Sequence, residues 1–188
     1  MLLSVVIPTY NERDNIAVLL DRLVNELSTI QGAYEIIVVD DASPDGTATV
    51  VEQYAKNDST VRLMQHTGKR DLSNALALGF DSAAGECVAA MDADLQHDPA
   101  LLISMLGLIE NKNIDLVVAT RYAKGGGIAN WHGMRRVLSY WVTRLSAYVV
   151  RTNISDPLSG YFILRRDLWL AIRLQLRLSG FKILLEII

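Results

Sequence analysis

Short apolar runs alternate with helix-like apolar patterns along the first two thirds of the chain. Continuous apolar runs are typical of strands that are buried on both faces. They cover residues 2–7, 35–39, 61–64, 87–91 and 115–119. Apolar side chains that recur every three or four positions predict helices between these strands. The helices cover residues 15–27, 43–56, 71–84 and 99–111. Strands that alternate with helices predict the α/β class, with a mostly parallel sheet covered by helices on both faces.

Polar residues and glycines indicate where these helices begin and end. Ser43 is the expected N-cap of the second helix. Asp98 is expected to cap the fourth helix, with Pro99 at its first position. Gly85 is expected to end the third helix.

The length of 188 residues predicts a single domain that covers residues 1–188. A glycine run at 125–127 divides it into two parts. Residues 1–122 have the pattern of a nucleotide-binding half, and residues 123–188 form a different C-terminal portion.

Composition narrows the possible functions. The net charge of −3 offers no basic surface for nucleic acid. The one cysteine, Cys87, lies within an apolar run, so we expect a buried thiol and no disulfide framework. The sequence has neither a signal-peptide pattern nor an apolar run of about 18 residues. The expected location is therefore the cytoplasm.

Acidic residues follow several of the predicted strands. In parallel α/β sheets, ligands bind beyond the carboxyl ends of the strands. The segments at these ends are Pro8–Glu12, Asp40–Thr47, Asp92–Asp94 and Thr120–Tyr122. Each segment alone could consist of ordinary turn and capping residues. Together, the acidic clusters, an aromatic residue and an arginine at one edge favour a site for a nucleotide diphosphate.

Asp92 and Asp94 are the candidate metal ligands. Side chains two positions apart on an extended chain point to the same side, so these carboxylates can share one Mn²⁺ or Mg²⁺ ion. Gln96 can add a third oxygen if the chain stays extended. His97 is treated as a bystander. The alternative is a loop whose aspartates only cap neighbouring backbone.

Three residues are candidates for the nucleoside. Tyr10 could stack on the base, Glu12 could accept hydrogen bonds from the ribose, and Asp41 could accept an N–H from the base. Tyr10 could equally be a packed aromatic at the sheet edge. Asp40 and Asp41 point to opposite sides of an extended chain, so we expect only one of them to contact the ligand.

The motifs Val5–Glu12, Glu35–Thr47 and Met91–Pro99 resemble those of the inverting family 2 glycosyltransferases, which have the GT-A fold. The later motifs narrow the resemblance to the polyprenol-phosphate (dolichyl-phosphate) mannosyltransferases. These later motifs are Thr120–Tyr122, Gly125–Gly127, Trp131-x3-Arg135-x3-Ser139, Asp156–Phe162 and Arg165–Arg166.

The resemblance implies a nucleotide-sugar donor, with GDP-mannose favoured, and a polyprenyl phosphate acceptor. It adds Pro8, Val39 and Ala93 to the nucleotide site. It also implies that Asp92, Asp94 and Arg121 are catalytic. The acceptor phosphate is expected at Arg121, Arg135 and Ser139. Arg121 could otherwise be an ordinary surface ion-pair residue.

Two segments depart from the family pattern. The family usually has a G-L-G-x-A type segment where this chain reads Lys69–Ala75. Either Lys69 or Arg70 could reach a diphosphate, and the sequence does not decide between them. The chain also ends in an apolar segment, residues 182–188, which predicts a fragment of a longer protein.

Residues 133–150 combine arginines with aromatic and aliphatic residues. This pattern fits an amphipathic helix that lies on an anionic membrane surface without spanning the membrane. A core-packing helix with solvated arginines is an equal alternative.

Other functions stay open at this point. One alternative is an undecaprenyl-phosphate glucosyl- or aminoarabinosyltransferase that uses a UDP-sugar, because the sequence does not separate mannose from glucose or guanine from uracil. A nucleotidyltransferase could share the sheet edge and the metal. A response-regulator receiver also ends an early strand in paired aspartates, but it does not account for the length or for the later Asp92–Asp94 pair.

Overall fold

The computed structural model describes residues 2–30, 32–68, 70–110, 114–120, 156–178, 180 and 183–188. The strands are β1 (Leu3–Thr9), β2 (Tyr34–Asp40), β3 (Val61–Gln65), β4 (Cys87–Ala90), β5 (Leu116–Val118) and β6 (Phe162–Arg165). The helices are α1 (Arg13–Leu27), α2 (Thr47–Ala55), α3 (Leu72–Ser82), α4 (Ala100–Ile109), α5 (Arg166–Ile172) and α6 (Ile183–Ile187). A short 3₁₀ turn, Arg173–Gln175, follows α5.

The strands form one mixed sheet in the order β3-β2-β1-β4-β6-β5. The pairs β1–β2, β1–β4 and β2–β3 are parallel. Strand β6 pairs antiparallel with both β4 and β5. The predicted α/β class and mostly parallel sheet are therefore confirmed. The sequence pattern did not predict β6, which separates β5 from β4.

Two apolar layers cover the faces of the sheet. Successive residues of β1 alternate between them, because side chains of a strand point to opposite faces. Val5 packs in a layer with α1, α2 and α4, whereas Val6 packs in a layer with α3, α5 and α6. Cys87 is buried as predicted, and burial raises the pKa of its thiol to about 11. It is therefore protonated at neutral pH and serves as a core residue.

Two predicted helix ends are wrong, at Ser43 and at Gly85. Helix α2 begins at Thr47 rather than at Ser43. Ser43 instead closes a turn, because its backbone N–H and its hydroxyl both donate to Asp40, at 2.9 and 2.6 Å. At the start of the helix, the Thr47 N–H donates to Asp45 Oδ1 at 2.9 Å. Gly46 has φ of +93°, a left-handed conformation that glycine adopts without strain.

Gly85 does not end α3, which stops at Ser82 with Ala83 already extended. Glycine is required at this position because there is no room for a side chain. A Cβ at Gly85 would lie 2.7 Å from both the backbone nitrogen and the hydroxyl of Ser4. Its own N–H donates to that hydroxyl at 2.8 Å. The start of α4 matches its prediction more closely, since Asp98 Oδ1 accepts the Ala100 N–H at 3.1 Å.

Within the described ranges, every helix is too short or too polar to cross a bilayer.

Two glycines in helices offer a matched test of the packing between α3 and the sheet. A Cβ at Gly79 would overlap Val6 and lie 3.2 Å from Val39 Cγ2, whereas Gly107 on α4 has nothing within 4 Å. Gly79→Ala should lower the free energy of unfolding by about 1–3 kcal/mol through overpacking. Gly107→Ala should raise it by about 0.5–1 kcal/mol, because alanine favours a helix. Urea denaturation measures both changes, and stabilisation by Gly79→Ala would contradict this packing.

Candidate active site

A cavity of about 510 Å³ opens at the carboxyl edge of β1, β2 and β4. Its lining comes from the ends of these three strands and from the start of α3. The lining residues are Pro8, Thr9, Tyr10, Glu12, Asp41, Arg70, Asp71, Leu72, Ala75, Asp92, Ala93 and Asp94. Seven residues that the sequence assigned to the donor or metal site are among them: Pro8, Tyr10, Glu12, Asp41, Asp92, Ala93 and Asp94. The prediction that strand ends gather these side chains at one edge is confirmed for this set.

Val39 does not line this cavity. Its side chain is fully buried and packs in the layer of α3, beside Val6. The side chain of Val39 therefore does not face this cavity, and the contact of Val39 with the nucleoside stays a prediction.

Gln96 lines a different cavity, of about 290 Å³, beside the second half of α1. The prediction of a third oxygen assumed an extended chain after Asp94. Leu95 instead has φ of +62°, so the chain turns there. The premise for Gln96 was wrong, and its role as a metal ligand stays a prediction. Arg121, Arg135 and Ser139 lie outside the described residues.

The side chains of Asp40 and Asp41 point to different sides, as predicted. Asp40 is almost fully buried and accepts hydrogen bonds from Thr9 Oγ1 and from Ser43, so it stabilises the turn after β2. Asp41 lines the cavity. Its Oδ1 lies 2.7 Å from His66 Nδ1, and its Oδ2 accepts the backbone N–H of Asp71 at 3.1 Å. Only Asp41 is thus available to a ligand in the cavity.

Asp92 contacts a nearby histidine and a glycine that is distant in sequence. A Cβ at Gly160 would overlap the carboxylate of Asp92 and lie 2.8 Å from its Oδ1. Any larger residue at position 160 would therefore clash with this carboxylate. The Asp92 N–H donates to His97 Nδ1 at 3.3 Å, and His97 Nε2 lies 3.8 Å from Asp92 Oδ2. The ring of His97 stacks on Tyr161 with centroids 4.8 Å apart. His97 is therefore a support for Asp92 rather than a bystander.

The lining of the cavity is acidic. It carries five carboxylates, and Arg70 is its one cation within the described part of the chain. The carboxylates are Glu12, Asp41, Asp71, Asp92 and Asp94. The guanidinium of Arg70 lies 4.1 Å from the centroid of the Tyr10 ring, within the range of a cation–π contact. An anionic diphosphate in this cavity would meet more negative than positive side chains among the described residues.

Asp92 and Asp94 fit a divalent cation by their chemistry. Carboxylate oxygens are the ligands that Mg²⁺ and Mn²⁺ prefer. The Asp92 side chain is 39% exposed, and Asp94 is also exposed to the cavity. No group of three His, Cys, Asp or Glu side chains with metal-binding geometry occurs among the described residues. Two carboxylates thus face the cavity, and their role as metal ligands stays a prediction.

Residues 4–170 match the model of the family described as glycosyl transferase family 2. The chain belongs to this family. The sequence is 39% identical over 191 residues to the dolichol-phosphate mannosyltransferase of Pyrococcus furiosus, covering 100% of this chain and 52% of that protein. It is 35% identical to the polyprenol monophosphomannose synthase of Mycolicibacterium smegmatis, covering 87% of this chain and 61% of that protein. The chain therefore spans about half to two thirds of the length of these relatives.

Solved structures agree on the fold of this family 2 glycosyltransferase domain. One is a mannosyltransferase from Pyrobaculum calidifontis in complex with GDP-Man and Mn²⁺, with a TM-score of 0.65, 24% identity and coverage of 90% of this chain and 46% of that one. Another is mannosyl-3-phosphoglycerate synthase from Rubrobacter xylanophilus, with a TM-score of 0.69, 22% identity and coverage of 90% and 54%. These likenesses establish a GT-A fold.

The segment that departs from the usual family pattern has a structural role of its own. Asp71 lies where the family usually has a glycine-rich segment. It caps α3, because its Oδ1 accepts the Ser73 N–H at 2.9 Å. Its Oδ2 accepts the N–H of Gly180 at 2.8 Å. Asp71 thus connects the C-terminal part of the chain, at Gly180, to the lining of the cavity. Arg70 lines the cavity, whereas Lys69 lies outside the described residues.

Gly160→Ala should weaken the binding of Mn²⁺ in the presence of GDP, because the added methyl group displaces the Asp92 carboxylate. We expect about a 10- to 100-fold loss of metal affinity, as for other residues that orient a metal ligand. Titration of Mn²⁺ followed by electron paramagnetic resonance measures the loss. Gly107→Ala is the matched control and should leave the affinity unchanged. Wild-type affinity in Gly160→Ala would contradict a role for Asp92 in metal binding.

Proposed function

We propose that this chain binds the donor sugar nucleotide and carries the catalytic centre of an inverting mannosyltransferase. The donor is GDP-mannose and the acceptor is a polyprenyl phosphate. The observation that carries this proposal is one cavity that combines Glu12 and Asp41 with the carboxylates of Asp92 and Asp94. The names of the relatives from Pyrococcus furiosus and Mycolicibacterium smegmatis support mannosyl transfer to a polyprenyl phosphate.

The donor would lie across the three strand ends. Asp41 accepts N–H groups of the base, and Glu12 accepts hydroxyl groups of the ribose. The Asn15 side chain donates to Glu12 Oε2 at 2.8 Å, which holds the Glu12 carboxylate at the cavity. Arg70 lies over Tyr10, where its guanidinium can also face the diphosphate.

Asp92 and Asp94 would hold Mn²⁺ or Mg²⁺, with Gln96 as a further candidate ligand. When bound, the cation offsets the negative charge that develops on the nucleoside diphosphate as it leaves. The five carboxylates of the lining support this assignment, since they would otherwise repel a diphosphate. The complex of the Pyrobaculum calidifontis enzyme contains Mn²⁺, which supports the same assignment.

The acceptor side of the proposal rests on the sequence resemblance. Arg121, Arg135 and Ser139 would hold the polyprenyl phosphate, since arginine offers forked, permanently charged donors. A phosphate monoester is largely dianionic at neutral pH, so its oxygen can attack the sugar carbon without a strong general base. These residues then act by orienting that oxygen, and one direct displacement inverts the sugar carbon. Residues 133–150 would bring this side of the chain to the membrane surface.

Asp94→Asn should remove the Mn²⁺-dependent part of the affinity for GDP, because the amide has lost the charge that binds the cation. Calorimetric titrations of GDP and of UDP, each with and without Mn²⁺, measure the effect and also identify the preferred base. Asp98→Asn is the control, since Asp98 caps α4 and lines the other cavity. Unchanged Mn²⁺-dependent affinity in Asp94→Asn would refute the metal assignment. A preference for UDP would refute GDP-mannose as the donor.

Arg135→Ala should lower the rate of mannosyl transfer to polyprenyl phosphate and leave GDP binding intact. Charge-assisted hydrogen bonds contribute about 1.5–3 kcal/mol each, so we expect a fall of about 10- to 100-fold. Arg135→Lys should also lose activity, because lysine does not offer the guanidinium fork. The neighbouring Arg136→Ala is the control. Transfer assays with the full-length protein measure the rates, and a wild-type rate in Arg135→Ala would place the acceptor elsewhere.

A further inference from the structure

His66 follows β3 directly, and its ring contacts the candidate base-reading residue. The backbone N–H of His66 donates to the carbonyl oxygen of Asp40 at 2.9 Å, which continues the pairing of β3 with β2. His66 Nδ1 lies 2.7 Å from Asp41 Oδ1. An ionised carboxylate can only accept hydrogen bonds, so Nδ1 is the donor in this pair. The contact is shielded, because the His66 and Asp41 side chains are only 18% and 7% exposed.

The second oxygen of Asp41 is also engaged. It accepts the backbone N–H of Asp71 at 3.1 Å, just before α3. Each carboxylate oxygen has two acceptor positions, so one protein donor on each oxygen fixes the plane of the carboxylate and leaves acceptor capacity for a ligand. The carboxylate of Asp41 is therefore oriented before any base arrives, which is a general way to gain selectivity.

The ring of His66 is itself held by the following loop. A Cβ at Gly68 would lie 2.8 Å from His66 Nε2 and 3.3 Å from Cε1. A side chain at position 68 would therefore displace the ring from its present position beside Asp41. Glycine at position 68 is thus explained by the lack of room for a side chain beside His66, and not by an unusual backbone conformation.

We infer that His66 is a positioning residue for base selection, which acts through Asp41. The inference rests on the proposed binding of the nucleotide base at Asp41. His66 does not line the cavity; its neighbour Asp41 does. The ring of His66 fixes which way the acceptor positions of Asp41 face, and a base whose N–H groups match that direction is preferred.

The test compares the affinities of GDP and UDP, each measured by calorimetry with Mn²⁺. His66→Leu removes the donor to Asp41 and should reduce the ratio between the two affinities by about fivefold to tenfold, since the bond from base to carboxylate weakens. His66→Asn places an amide N–H close to the position of Nδ1 and should restore most of the ratio. Gln65→Leu is the matched control. Gln65 lies one residue earlier and lines a different cavity, so its ratio should stay at the wild-type value.

Gly68→Ala is a second route to the same effect, which does not depend on the folding of His66→Leu. It should also reduce the ratio of the two affinities, because the methyl group displaces the ring. In a double-mutant cycle, His66→Leu should have no further effect on the ratio once Asp41 is replaced by asparagine.

Four results would overturn the inference. The first is an unchanged ratio in both His66→Leu and Gly68→Ala, and the second is an equal loss of affinity for GDP and UDP. The third is additivity of the effects of His66→Leu and Asp41→Asn, and the fourth is a loss that His66→Asn fails to restore. Failure of the proposed function gives a different result, because the wild-type protein would then bind neither nucleotide or would prefer UDP.

Discussion

The site depends on the register of β1 with its two parallel neighbours. Thr9 pairs with Asp40 across β1 and β2, and Val6 pairs with Ala90 across β1 and β4. The hydrogen bond from the Asp41 N–H to the Thr9 carbonyl, at 2.9 Å, extends this pairing one residue beyond the strands. Three chain segments therefore leave the sheet at one edge with their polar residues side by side. A shift of one residue would exchange Asp41 for Asp40 at the cavity.

The antiparallel strand β6 completes the edge from the other direction. It pairs Phe162 with Ala90, so the residues just before it arrive where β4 ends. This places Gly160 against the Asp92 carboxylate and the Tyr161 ring against His97. A fully parallel sheet would bring the start of a strand to the opposite edge. The reversed direction of β6 is thus what lets a segment about 70 residues away in sequence support Asp92.

The sequence predicts local features of this molecule better than contacts between distant residues. Apolar runs located the parallel strands because burial on both faces leaves a continuous signal. Strand β6 pairs antiparallel with both of its neighbours and belongs to no βαβ unit, so the alternation of strands and helices did not indicate its place in the sheet. The turn at Leu95 and the supports at His66 and Gly160 depend on neighbours that the fold supplies. The glycine of the Asp156–Phe162 motif was visible in the sequence, but its contact with Asp92 was not.

Histidines support carboxylates on both sides of β1, and they do so in different ways. His66 donates directly to the carboxylate of Asp41, whose side chain is 7% exposed. His97 accepts the backbone N–H of Asp92, whose side chain is 39% exposed. A carboxylate that reads a base gains from a fixed orientation and little water, because selectivity depends on the direction of its acceptor positions. A carboxylate that binds a hydrated cation gains from exposure, because the cation keeps water and phosphate ligands. The two histidine contacts therefore match the two roles proposed for Asp41 and Asp92.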